Sequence, residues 1–342
     1  MTELAQTSTG LTTTDAQQLP TSRVTAGERI ATLAQRHGAL AVLMLALLGS
    51  ALAFPSFASP DNLAGIAIQS STLIIIALGM TFVIISGGID LSVGSVFALG
   101  GVLAAWASQW GTLPALLLPL AVCAAIGLAN GLIIARTGLA PFIVTLASLL
   151  GARGLLLAVT HEGSTTYLVP RDSVLLDIGR GTLLGVGYPV YIALLLCASG
   201  AVLLQRSRYG QATFAIGGNE DAAALMGLPV ARVKILTYVL SGLLAGFAGI
   251  LNAARLGSGV TILGVGLELD AIAAVVIGGT LLIGGAGSVS GTVCGVLLLG
   301  VIQNVINQIG NLTSSIQSVV SGAFLVVVVV TQTYLSKVRR LR

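Results

Sequence analysis

Three acidic side chains stand out by where they sit. Asp90 lies in SGGIDLSVGS (86–95), and Glu268 and Asp270 lie in GLELDAIAA (266–274), each between long apolar runs or at the start of one. Placing an Asp at the centre of a bilayer costs about 2.5–3.5 kcal/mol on insertion scales. A carboxylate in such a place needs a task. The local task is to accept hydrogen bonds from the free N–H groups that open a helix, at the third apolar segment for Asp90 and at the eighth for Asp270. A second task is a gate or a substrate contact, built at Asp90 with Gly87, Gly88 and Ser92. A third is ion coupling, in which Asp90, Glu268 and Asp270 would serve a proton- or sodium-driven secondary transporter.

Neutral polar groups are also set in apolar surroundings. Gln69, Ser70 and Ser71 cluster in one run, Asn130 lies in another, and Gln303, Asn304 and Asn307 share a third. Amides and hydroxyls are what an uncharged, polyhydroxylated solute needs along its path, and they also join helices by hydrogen bonds in lipid. Catalytic chemistry is not indicated. The chain has no GxxxxGK[ST], HExxH or GxSxG, so no catalytic, cofactor-binding or metal-ligating residue is expected. His37 and His161 fall in or near polar flanks. Cys123, Cys197 and Cys294 fall in apolar runs without a CxxC partner, as small buried hydrophobes do.

The elements that carry these residues follow from composition. With 55% apolar and 8% charged residues in 342, the chain is an all-α integral membrane protein. Runs of about 20 apolar residues match the helix length that crosses hydrocarbon, and 44 glycines let helix backbones approach closely in lipid. The pattern predicts ten transmembrane helices, at 38–54, 63–86, 91–110, 113–135, 139–160, 188–205, 234–256, 267–284, 289–309 and 316–336. A polar segment, 1–37, is expected as a mobile tail and 337–342 as a basic one, both cytoplasmic. In that orientation only Arg153, Arg171, Arg180 and Arg255 of the 16 Lys and Arg residues lie outside. The formal charge of +4 is too small to suggest a nucleic-acid partner. Asp90 is expected at the cytoplasmic end of its span and Asp270 at the outer end of its own, as two inverted five-helix halves would place them.

The inner loop, 206–233, carries a predicted two-turn helix. Asn219 is its N-cap, Glu220 and Asp221 suit its positive end, Ala222 to Met226 are strong helix formers, and Gly227 with Pro229 marks its stop. It reads as a lever that fits a cytoplasmic partner.

Three ordered stretches, GMTFVIISGGIDLSVGSVFALGG (79–101), YGQATFAIGGNEDAAALMGLPVARVKILTYVLSGLLAGFAGI (209–250) and GVGLELDAIAAVVIGGTLLIGGAGSVSGTVCGVLLLGVIQN (264–304), resemble one family. They are similar to the permease subunits of bacterial ABC monosaccharide importers, the ribose, xylose, autoinducer-2 and galactofuranose branch. Their wording is closest to the galactofuranose type. The resemblance implies a multi-pass protein of the bacterial inner membrane with four kinds of partner: a second permease, identical or paralogous; a cytoplasmic sugar-type ABC ATPase that holds ATP and magnesium; an extracytoplasmic sugar-binding protein; and membrane lipid. It also implies that residues about 217–227, Gly218 to Gly227 among them, form a coupling helix.

Overall fold

The computed structural model describes residues 26–309 and a few isolated positions beyond them. The N-terminal 25 residues, most of the tenth candidate span and the basic tail 337–342 lie outside the described residues.

Glycine and serine punctuate the chain into helices. Helix α1 (Ala26–Ala53) begins inside the stretch read as a tail. Helix α2 (Pro60–Ile85) opens on a proline that needs no N–H partner, with Ser59 accepting from the Asn62 amide at 3.3 Å. Helix α3 (Val93–Ala107) ends in a single 3₁₀ turn, and α4 (Thr112–Thr137) stops at Gly138 in a left-handed conformation. Helix α5 (Pro141–Val159) follows at once. The long connection after α5 contains α6 (Val174–Arg180) and a two-rung hairpin of β1 (Thr182–Leu183) and β2 (Val186–Gly187). After α7 (Tyr188–Arg206) come α8 (Arg208–Gly218), α9 (Glu220–Leu225), α10 (Val230–Leu256), α11 (Leu267–Ile277) and α12 (Val289–Ile309). Among the described residues seven helices are long and apolar enough to cross a membrane. The fold is all-α and multi-pass.

Helix α10 is the axis, lying against α2, α3 and α4. Glycines make that possible. A Cβ on Gly127 would stand 2.3 Å from the Tyr238 carbonyl oxygen, and one on Gly131 would stand 2.7 Å from the Cα of Ile235. From the other side, Gly242 meets the Cys123 carbonyl and Gly249 the Phe97 carbonyl at 2.4 and 2.1 Å. Any larger residue in this seam would push two backbones apart, and with them the dispersion contacts that hold helices together in lipid. By contrast α4, α5 and α7 keep an apolar outer face, with Leu117, Leu150 and Leu195 exposed. Cys123 and Cys197 are buried as expected, and Cys294 is half-buried.

Two predicted spans include irregular backbone. Helix α3 with its 3₁₀ turn, Val93–Trp110, is one of the seven, whereas α11 has 11 residues, about 16 Å against about 30 Å of hydrocarbon. Irregular backbone completes each, at 86–92 before α3 and at 257–266 and 278–288 around α11. Such backbone is tolerated at depth only where protein covers it.

Candidate functional site

The start of α3 is where the polar groups gather. Asp90 is 1% exposed and meets three donors: the Ser92 amide at 3.0 Å and the Ser92 hydroxyl at 2.5 Å on Oδ1, and the Ser241 hydroxyl of α10 at 2.7 Å on Oδ2. Asn130 of α4 donates to the Ser92 hydroxyl at 3.3 Å, and Ser148 of α5 donates to the Asn130 carbonyl oxygen. One buried chain of hydrogen bonds thus joins four helices.

This geometry refines one expectation and corrects another. Asp90 accepts from a backbone amide at the start of its predicted span, as expected, but from Ser92, which itself holds the cap position of α3, so the bond closes a tight turn and does not reach into the helix. Asp270 does not cap α11. Gly266 is its N-cap, and Glu268 and Asp270 lie within its first turn, where the helix dipole favours them.

Ser241 lies eleven residues into α10, about 16 Å from its start, so its partner Asp90 is held against the middle of that helix. A Cβ on Gly94 would fall 2.2 Å from the Gly264 carbonyl oxygen and 2.3 Å from Glu268 Oε2, so the starts of α3 and α11 abut. The intervening loop is pinned by Arg153 of α5, whose guanidinium donates to the carbonyls of Thr261 at 2.8 Å and Leu263 at 3.2 Å.

Below Asp90 lies a cleft of about 390 Å³. Gly87 and Gly88 line one side, Gly138 to Pro141 another, and Gly217 to Glu220 with Lys234 the mouth. Tyr238 forms its inner wall. The ring is buried, its hydroxyl points at the Ile89 carbonyl at 3.5 Å, and a Cβ on Gly88 would strike that hydroxyl at 2.4 Å. Thr145 of α5 donates to the same Ile89 carbonyl at 3.3 Å. The cleft therefore ends one residue short of Asp90.

At the mouth, Lys234 Nζ meets both Glu220 oxygens at 2.6 Å. It is the one ion pair among the described residues. Asn219 caps α9 as its sequence predicts, accepting from the Ala222 amide at 2.9 Å. The helix stops where Gly227 turns left-handed. Leu225 and Met226 are 89% and 75% exposed, an apolar tip on a short surface helix. The sequence reading missed α8, which precedes it. Tyr209 of α8 stacks on Phe82 of α2 and shares a 2.8 Å hydrogen bond with Thr237 of α10. Burial pushes the Tyr209 phenol pKa up, so this tie stays neutral.

The remaining candidates do not join this site. Gln69 is exposed, and Ser70 is buried against Gly300 of α12. Asn304 forms a two-way amide pair with Asn62 of α2, at 2.7 and 3.2 Å, which Gln308 extends at 2.8 Å. Gln303 is half-buried, and Asn307 is exposed on the same helix. Of the six path candidates only Asn130 reaches Asp90, and Ser241, Tyr238, Ser148 and Thr145 were not singled out. Ser241 carried a signal: it is the lone serine in the apolar run VLSGLLAG (239–246).

The comparisons with known proteins agree in kind. The ribose import permease protein RbsC of Bacillus subtilis (strain 168) is 40% identical over 297 residues, 86% of this chain and 92% of that one. The L-arabinose ABC transporter permease protein AraH of Azospirillum brasilense is 35% identical over 310 residues, 90% of each. The inner membrane ABC transporter permease protein YjfF of Escherichia coli (strain K12) is 40% identical over 305 residues, 86% and 90%. No solved structure matches. Residues 62–329 match the family described as "Branched-chain amino acid transport system / permease component", and with α3 to α12 and the buried polar chain inside that range, the chain belongs to this family of transport-system permeases.

Proposed function

We propose that the chain is the membrane-spanning subunit of an ABC importer that carries a neutral monosaccharide inward by alternating access. ATP and magnesium are bound on a separate cytoplasmic ATPase, and the chain itself is not an enzyme. Its other partners are a second permease, identical or paralogous, an extracytoplasmic sugar-binding protein and the lipid of a bacterial inner membrane. The observation that carries this reading is the near-complete overlap with permeases named for ribose and L-arabinose. Those relatives do not single out the galactofuranose type, and the proposal is made for neutral monosaccharides as a class.

In this reading ten crossings form two inverted halves, with both termini cytoplasmic on the distribution of Lys and Arg. The meeting of α3 and α11 at their starts supports paired halves. The segment 206–233 couples to the ATPase, with Leu225 and Met226 of α9 seated in it. The cleft between Gly88 and Glu220 is the inner mouth of the sugar path, and Gly87, Gly88, Asp90 and Ser92 form its gate. Cells that lack other importers and express the chain with its partners should take up labelled ribose or L-arabinose and not leucine. Leucine uptake without sugar uptake would overturn the assignment.

A further inference from the structure

Three Gly-Gly pairs from distant parts of the chain meet at one point. They are Gly87–Gly88 after α2, Gly217–Gly218 at the end of α8, and Gly284–Gly285 in the loop between α11 and α12. A Cβ on Gly217 would stand 1.7 Å from the Ile85 carbonyl oxygen and 2.6 Å from the Gly285 nitrogen. One on Gly284 would stand 2.9 Å from the Gly87 backbone and 2.8 Å from the Gly217 oxygen. The Gly285 amide donates to that same Ile85 carbonyl at 2.9 Å. Gly87, Gly284 and Gly285 all have positive φ, which other residues adopt only with strain. Three backbones are therefore in direct contact, with no side chain between them to absorb a displacement.

What each backbone leads to gives the contact its meaning. Gly217 is two residues before Asn219, the cap of α9. Gly87 is three residues before Asp90 and its hydrogen-bonded chain. Gly284 and Gly285 lie in the loop that ends at α12 and folds back on itself through a 3.0 Å bond from the Leu281 amide to the Ala286 carbonyl. A close-packed contact transmits movement because shifting one member by even a few tenths of an ångström forces the others to follow.

We infer that the Ile85–Gly217–Gly285 junction links α8–α9 to the gate, delivering one movement at once to the α2–α3 turn and to the α11–α12 loop. Gly217 is a positioning residue in this scheme, and the scheme rests on the coupling role proposed above for α9. Gly151 of α5 supplies a control. A Cβ there meets nothing within 4 Å.

In the assembled transporter in lipid vesicles, Gly217→Ala should leave ATP hydrolysis and subunit association in place and lower the sugar moved per ATP by about tenfold. Gly151→Ala should leave that ratio unchanged. An unchanged ratio in Gly217→Ala, or an equal loss in Gly151→Ala, overturns the linkage. The wild-type complex gives an independent readout by amide hydrogen exchange with and without a non-hydrolysable ATP analogue and magnesium. Protection should change together in 86–92, 220–228 and 281–288. A change in 220–228 alone defeats the junction and leaves the coupling role of α9 standing; no change in 220–228 defeats both.

Discussion

Ser241 and Asp90 are 151 positions apart in sequence, yet the Ser241 hydroxyl donates to Asp90 Oδ2 at 2.7 Å in a site with almost no solvent contact. The bond fixes the turn before α3 against the middle of α10. Removing the acceptor strands a buried amide and two hydroxyls, each costing about 1–3 kcal/mol. Asp90→Ala should therefore lose about 3 kcal/mol or more of stability and show a clearly lower unfolding temperature in detergent. Asp90→Asn keeps one acceptor and should lose less than half of that. Equal stability of Asp90→Ala and wild type would show that the network holds nothing.

The glycine seam around α10 should tolerate no added bulk. Gly131→Ala, whose new methyl falls 2.7 Å from the Cα of Ile235, should cost about 1–3 kcal/mol. Gly151→Ala on α5 meets nothing within 4 Å and should be neutral or slightly stabilising. Thermal unfolding of the two variants side by side measures the difference, and equal melting would contradict close approach along α10.

Asn304 tests whether an amide in a span serves the path or the packing. Its pairing with Asn62 predicts that Asn304→Ala loses about 0.6–1.7 kcal/mol of stability while the ranking of competing sugars in uptake stays as in the wild type. A changed ranking would move Asn304 into the path.

The Glu220–Lys234 pair is half-exposed on its acidic side. A double-mutant cycle with Glu220→Gln and Lys234→Met should give a coupling of about 1 kcal/mol or less, shrinking as salt is raised. Replacing Leu225 and Met226 together with Asp should instead leave melting unchanged and abolish copurification with the ATPase. Retained copurification would remove α9 from the coupling surface.

Much of this was legible in sequence for physical reasons. Long apolar runs have few readings other than membrane helices, and Asn219 with Gly227 bracketed α9 because cap and stop chemistry is local. Helix α8 was missed because Tyr209 and Phe214 look like connector residues until α2 and α10 bury them. The irregular backbone around α3 and α11 was hidden for a different reason. Hydropathy cannot distinguish a full crossing from a short helix completed by irregular backbone, since both segments are equally apolar. The junction of Gly87, Gly217 and Gly285 was invisible for the most basic reason: sequence records that a residue has no side chain, but not which distant backbone fills the space.

The central claim is that this permease moves sugar with ATP spent on a partner rather than with an ion gradient. Vesicles carrying the chain, the ATPase and the binding protein test it, with ATP inside the compartment that faces the ATPase and a proton ionophore present. The account predicts sugar uptake that requires all three proteins and ATP and is unchanged by the ionophore. Uptake by this chain alone, driven by a proton or sodium gradient and lost in Asp90→Asn or Asp270→Asn, would contradict it.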